Sequence, residues 1–492
     1  KNLGNAPVVL SASEVKNGVD AAGARDVVQV ISYTTSRASF NRITEAFGLP
    51  LDAANSVKKV DAIPVTRDDV KRVLDESKLA RSRLPAPPLT EAEIKFIAYQ
   101  RETAKTTGEQ PRRYGLANNA RTRAYYLADY GFSIDADIEK SKTPQNRESD
   151  SGLDPNFRTM LFWIISRGNN CTYCLGHQES GLATRGVSDE MLGALDADWA
   201  AFDPAQQAAF EFARKLSFAP YEVSELDLDQ LRAYYSDAQV AELIVAIAGF
   251  NSTNRWTGPM RIRQDVLFEF TRPTVPKYVK SLSLVAPSKR TVNLGMTPAE
   301  PRPRPELEDL QLVQEQLALA KKRVPRLALA DVSVTEQLLL KNELPVALAS
   351  QQWVRFLATM PKSGTDRIVV YQKALERGTL DNRTKAIIAY VAARQDRAWY
   401  ALGHAVERLR QQGVSEVEIQ SFDSPSSSKS KADAVLIRFA TIIAANPAMI
   451  SDEDFRDMQA IMDDKRVAEA VYITTQAALF NRITEAAGLT LE

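Results

Sequence analysis

Cysteine and histidine are almost missing from this chain: 492 residues contain two of each. Two cysteines cannot staple a fold, so the core must hold itself together by packing. Charge of one sign is missing too. Lysine plus arginine number 62, and aspartate plus glutamate number 62, so the formal net charge is zero. That balance lacks the basic footprint of a nucleic-acid or anionic-membrane binder. No apolar run approaches the roughly 18 residues that span a bilayer. The chain opens on Lys1 with no signal-like apolar segment. It therefore reads as a processed or truncated form. The expected compartment is the cytoplasm, and an exported mature form is compatible with the missing methionine. The length suits two or three domains, each able to bury a core.

What is present is a duplication. "YCLGH" ends at His177 and "YALGH" ends at His404, a shift of 227 positions. At that shift Phe212-Ala213 falls on Phe439-Ala440, and Pro220 on Pro447. Val240-Ala241-Glu242 falls on Val467-Ala468-Glu469, and Asn254-Arg255-x-Thr257 on Asn481-Arg482-x-Thr484. No gap is needed from Asp154/Asp381 to Thr257/Thr484. A register kept that long means two copies of one domain. A third fragment, "TTSRASFNRITEAFGLPLD" (34–52), resembles "TTQAALFNRITEAAGLTLE" (474–492), as if a repeat's tail stood alone at the start.

The expected organisation follows. Residues 1–52 form the tail-like helical segment, and 53–90 a linker. Residues 91–270 form the first repeat, 271–305 a proline-rich linker, and 306–492 the second repeat. "RLPAPPLTEAE" (83–93) is a proline-rich lead into a helix, residues 133–155 a polar surface insertion, and "SPSSSKSK" (424–431) a flexible loop. In "FRTMLFWIISRG", Phe157, Leu161, Ile164 and Ile165 make one helical stripe. Alternating strand-like segments are few, so the fold class is all-α, two tandem helical bundle repeats.

Both cysteines and one histidine lie in "NNCTYCLGHQ" (169–178). Gly168 is a natural helix terminator, and Asn169 a natural N-cap, as is Asp396 in the second copy. A new helix should start near Cys171. A thiol in its first turn feels the positive end of the helix dipole, which favours thiolate. Cys174 and then His177 follow at about 60° steps around the helix. Cys171 and Cys174 can close to a disulfide, and His177 can act as base or relay. A zinc site would need further ligands that the sequence does not supply. The cysteines can also be read as plain core residues. The capped helix start and nearby histidine favour the redox reading. His404 has Ala398 and Ala401 in place of the thiols and reads as structural. The Asn-Arg-x-Thr element reads mainly as helix packing, and Trp163 and Trp256 as core.

A thioredoxin-like reading fails, because that motif follows a strand. An all-helical domain with CxxC at a helix start, a following histidine and a long final helix bearing "NR" resembles the alkylhydroperoxidase-D / carboxymuconolactone decarboxylase superfamily (AhpD-like). "TLDNRTKAIIAYVAARQDRAWYALGHA" (379–405) resembles the same two helices without thiols. The resemblance covers residues 156–265 and 379–492. It implies thiol peroxidase or disulfide oxidoreductase activity with no cofactor or metal. Cys174 would be the peroxidatic nucleophile, Cys171 the proton donor and resolving thiol, and His177 part of a proton relay. The partners implied are a peroxide or disulfide substrate and an external thiol reductant. Assembly into a homotrimer forming a pseudo-hexamer is implied as well. Histidine stands three residues after the second cysteine, where the family has four. Thr159 occupies the position of the family's relay glutamate, leaving Glu179 as the substitute. The decarboxylase branch lacks the cysteine pair, so decarboxylation is disfavoured. The competing reading is a non-catalytic assembly protein built from duplicated bundles.

Overall fold

Thr90 and Glu93 show how these segments become helices. The Thr90 side chain accepts from the Glu93 N–H (3.2 Å), and Glu93 accepts from the Thr90 N–H (3.0 Å). This reciprocal cap starts a helix that Gly108 ends in the left-handed region (φ 71°). The computed structural model describes residues 67–108, 114–142, 149–197, 199–265, 306–423 and 430–492. Among them there is no strand.

The first half holds α1 (Arg67–Glu76), α2 (Glu91–Thr107), α3 (Asn118–Tyr126) and α4 (Ile134–Lys142). Next come α5 (Pro155–Gly168), α6 (Thr172–Thr184), α7 (Asp189–Ala197), α8 (Pro204–Phe218), α9 (Glu225–Arg232) and α10 (Asp237–Thr257). The second half opens with α11 (Leu310–Ala320), α12 (Val332–Lys341), α13 (Gln352–Ala358) and α14 (Ser363–Glu376). It continues with α15 (Asn382–Asp396), α16 (Trp399–Gln411), α17 (Glu416–Ser421), α18 (Lys431–Ala445), α19 (Asp452–Gln459) and α20 (Asp464–Ala486). Each of α15 to α20 starts 227 positions after its counterpart among α5 to α10, Pro155 matching Asn382 and Asp237 matching Asp464. The packing repeats as well. Helix α5 lies against α6, α8 and α10, and α15 lies against α16, α18 and α20.

The final helices of the two copies run along each other at the centre. Every residue of α20 from Val467 to Ala486 is buried, so the helix is enclosed all round, with its polar Glu469, Asn481 and Arg482 buried along with its apolar residues. The copies exchange arginines. The Arg255 guanidinium donates to the Ala444 carbonyl (3.3 Å), and Arg482 donates to the Ser217 carbonyl (2.8 Å). Ser217 and Ala444 are themselves equivalent positions, so the contact is self-complementary, as in a two-fold dimer. Matched Glu242 and Glu469 accept the backbone N–H of Ser151 and of Thr379 (2.8 Å each), anchoring the chain ahead of α5 and α15.

Two expectations change. The stretch 53–90 was expected to be a linker, but residues 67–79 are helical, and α1 packs on α6. The reason is the spacing of Val70, Val73 and Leu74, which bury one apolar face. Arg83 then ties the following segment down through Pro259 and Ile450 carbonyls (2.7 Å each). Within the polar insertion, α4 is a helix whose Ile138 packs in a small core with Phe96 and Leu116. The segments 1–52 and 271–305 and the loop 424–429 lie outside the described residues. Among the described residues no helix is long and apolar enough to cross a membrane.

Candidate active site

Helix α6 is started by a cysteine rather than an asparagine. The Cys171 Sγ accepts from the Cys174 N–H (3.3 Å) and is the N-cap. The turn between α5 and α6 is made by Asn170 in the left-handed region (φ 53°), and Arg397 does the same in the second copy (φ 48°). Asn169 and Asp396, expected as caps, instead turn inward. Asn169 donates to Asn251 (3.0 Å) and Asn254 (3.1 Å). Asp396 receives Asn481 (3.1 Å) and Arg482 (3.0 Å). The inward turn satisfies buried amide and guanidinium groups that water cannot reach.

The two thiols are free, and their sulfurs lie 2.8 Å apart. Both residues are nearly sealed, Cys171 at 2% and Cys174 at 3% exposure. Thr257 of the Asn-Arg-x-Thr element joins them. Its Oγ1 is 3.0 Å from Cys171 Sγ, 2.9 Å from Cys174 Sγ and 2.9 Å from the Thr253 carbonyl. Its one proton can therefore serve a thiolate or the carbonyl. Burial pushes the Cys171 thiol up. Hydrogen bonds from Cys174 and Thr257 and from the Cys174 and Tyr173 N–H groups outweigh it, leaving Cys171 below the ordinary thiol range. Burial pushes the Cys174 thiol well up, and the neighbouring Cys171 sulfur pushes it further. Cys171 is thus the thiol that gives up its proton first, and Cys174 the one that keeps it.

His177 finds its carboxylate on a segment that the sequence reading passed over. After α10 the chain reverses through Arg261 (φ 48°) and runs back beside α6. This brings Asp265 Oδ2 to 2.9 Å from His177 Nε2. Asp265 also accepts from the Tyr173 hydroxyl (3.3 Å) and from the Asn118 N–H at the start of α3 (2.9 Å). The Tyr173 and His177 rings lie 4.5 Å apart. Gly176 is what allows this approach, because a Cβ there would run into the Gln264 carboxamide. The second copy repeats the arrangement. Gly488 (φ 62°) reverses the chain, and Glu492 Oε2 reaches His404 Nε2 at 3.3 Å. The Tyr400 hydroxyl donates to Glu492 (3.1 Å), and Gly403 makes room for Leu491. His404 is therefore one of a matched pair rather than an isolated remnant. Its copy simply lacks the thiols.

Glu179, expected as a relay carboxylate, is bound away from His177. It is buried on another side of α6, where Arg67 grips it with two bonds (2.7 and 2.5 Å) and Trp163 Nε1 donates to it (2.7 Å). Thr159 donates to the Pro155 carbonyl and receives Arg185, so no carboxylate stands at that position either. Trp163 and Trp256 are both buried, and Trp256 donates to Asn119 (2.9 Å).

Cys174 and His177 line a cleft of about 1410 Å³ that also takes in Tyr173, Thr253, Phe250 and Phe162, and Cys171 lies behind this wall. Of the two buried cysteines, Cys174 is thus the one in the cleft wall. The Asp265 signal was present in the repeat. Carrying the 227 shift from Thr257/Thr484 on to Asp265/Glu492 puts a carboxylate at both ends. Among the described residues no group of three or more His, Cys, Asp or Glu side chains is arranged to hold a metal ion. No protein-family model matches this chain, and no curated protein matches it.

Proposed function

We propose that this protein is a thiol-dependent oxidoreductase of AhpD-like type, with one working site, in the first repeat. The observation that carries the reading is the free Cys171–Cys174 pair, 2.8 Å apart and bridged by Thr257, with Cys174 in the wall of the His177-lined cleft. In the peroxidase direction the Cys174 proton passes to the Cys171 thiolate. The Cys174 sulfur then attacks the terminal peroxide oxygen, and the O–O bond breaks. His177 hands a proton to the departing alkoxide, which leaves as the alcohol. Cys171 attacks the resulting sulfenic sulfur, and the displaced hydroxide leaves with the Cys171 proton as water. A disulfide remains, and an external dithiol supplies the two electrons that reopen it. Asp265 and Tyr173 keep His177 aimed while its proton is replaced from solvent. In the disulfide direction the Cys174 thiolate attacks a sulfur of the substrate disulfide and releases one thiol, and Cys171 then attacks the mixed disulfide and releases the other, leaving the same Cys171–Cys174 bond.

The alternative reading, an assembly protein, is favoured by one observation: Ala398 and Ala401 replace the thiols in an otherwise matched second copy. That copy serves as scaffold in this proposal, its central helix completing the first repeat's core. The internal two-fold takes the place of a homodimer, and three chains would then close a ring, which a solution mass near three times 54.5 kDa would support.

The test is alkylation of the native protein across pH, read by mass spectrometry, with and without an organic hydroperoxide. The reading predicts one thiol labelled near neutral pH, with the label lost as a Cys171–Cys174 disulfide forms. Thiols that stay unlabelled until denaturant is added, and ignore peroxide, would return the motif to a packing role.

A further inference from the structure

Six lysine and arginine side chains line the cleft, against three carboxylates. The carboxylates are largely used up. Glu242 receives Ser149 and Ser151 hydroxyls (2.6 Å each) and Arg158 (3.3 Å), and Asp154 caps the Phe157 N–H (2.8 Å). Asp137 acts on Arg123 only through space. Arg123 of α3 and Arg367 of α14 reach the cleft from opposite repeats, and neither makes an ion pair among the described residues. The Arg123 guanidinium lies 5.2 Å over the Phe132 ring, which holds its plane without neutralising it. Arg367 lies against Gly249, where any Cβ would collide with the guanidinium. The equivalent of Gly249 in the second repeat is Gln476, so the room for this arginine exists only on the thiol side. Burial lowers the proton affinity of both guanidiniums, and the charge on Arg123 lowers that of Arg367 further. Two desolvated, mutually repelling guanidiniums are relieved by an anion that bridges them.

We propose that Arg123 and Arg367 form an oxyanion-binding floor that seats the carboxylate or phosphate of the substrate. As a substrate class, an anionic peroxide or disulfide, this rests on the thiol reading above; the anion site itself does not. One repeat supplies the thiols and the other supplies Arg367, which gives the duplication a chemical use.

The test has two parts on the full chain. Sodium benzoate and inorganic phosphate are each titrated by calorimetry at low salt, into wild type, R123Q, R367Q, the double glutamine variant and R123K/R367K. The proposal predicts that at least one anion binds and that each glutamine variant weakens it by about tenfold, with the lysine variant keeping most of the affinity. Benzoate alone points to carboxylates, phosphate alone to phosphorylated substrates. In the second part, Cys174 alkylation by iodoacetate is compared with iodoacetamide. The anionic reagent gains on the neutral one, relative to free cysteine, and loses that gain in the double glutamine variant. No anion binding in wild type, or equal binding in the double glutamine variant, overturns the proposal. Anion binding without peroxide turnover would reject the oxidoreductase reading and leave the anion site standing.

Discussion

The two repeats share their helices, most of their caps and their arginine exchange, yet they differ at the two positions on which the proposed chemistry rests. Where the first has Cys171 and Cys174, the second has Ala398 and Ala401. Around that difference the Tyr–His–carboxylate group is kept, as Tyr173–His177–Asp265 and Tyr400–His404–Glu492. The comparison teaches that this group is first a structural clasp. It fastens the returning tail to the motif helix in both copies, and the glycine of "LGH" permits the close approach. The chemical role proposed for the clasp applies only beside the thiols. Thr257 makes the point again: it faces two sulfurs, while Thr484 bonds backbone carbonyls, those of Phe480 (2.9 Å) and Asn481 (3.2 Å).

The largest expected effect breaks the comparison outright. Cys174→Ser should reduce peroxide- or disulfide-dependent turnover to background, whereas His404→Ala in the second copy should leave it intact. A coupled dithiol assay on both variants checks this, and equal loss would mean the clasp rather than the thiols governs activity.

Next is the ion pair that stands where the first copy has the neutral amide of Asn169. Arg482 and Asp396 pair with both side chains fully buried. Asp396→Ala should cost about 3–5 kcal/mol, because a lone guanidinium is left in the core. Asn169→Ala at the equivalent place removes neutral bonds and should cost about 1–3 kcal/mol. Urea unfolding of the two variants side by side tests the ranking.

The clasp glycines come third. Gly403→Ala and Gly176→Ala should each lose about 1–3 kcal/mol through overpacking. Gly403 meets the branched carbons of Leu491, and Gly176 meets the end of the Gln264 side chain, so Gly403→Ala should be the worse. Of the two, only Gly176→Ala should also slow thiol reactivity.

The smallest effect is on pH dependence. Burial pushes the Glu492 carboxyl up, but hydrogen bonds from His404 and the Gln352 N–H outweigh it and hold the group below its ordinary range. A depressed carboxyl contributes its stability above the unfolded value of about 4.3 and loses it as pH falls through the folded value. Glu492→Gln should therefore lower the melting temperature slightly near neutrality and flatten its loss below about pH 4, where variant and wild type converge.

Much of the fold could be read without coordinates. Capping residues and apolar spacing announce the helices, and the 227-position register pairs them, down to Pro155 with Asn382. The cysteine pair and its histidine were legible as well. What was misread was direction. Asn169 looked like a cap, and capping propensity is local, but a buried amide cluster around Asn254 and Arg255 claimed its side chain. Glu179 looked like a relay because it is near in sequence, yet its face of α6 meets Arg67 and Trp163. The 67–79 stretch was passed over as linker because its apolar residues are few, and burial of three of them is enough.

The sequence by itself determined that this is a duplicated all-α chain with one dithiol motif, because helix periodicity, capping and repetition are local or one-dimensional properties. Which cysteine lies in the cleft wall, which carboxylate holds His177, and that Arg367 crosses from the other repeat were decided only by tertiary structure. Those depend on how helices far apart in the chain rotate against one another, and a side chain's partner in a packed core is chosen by proximity and desolvation, which sequence order does not encode.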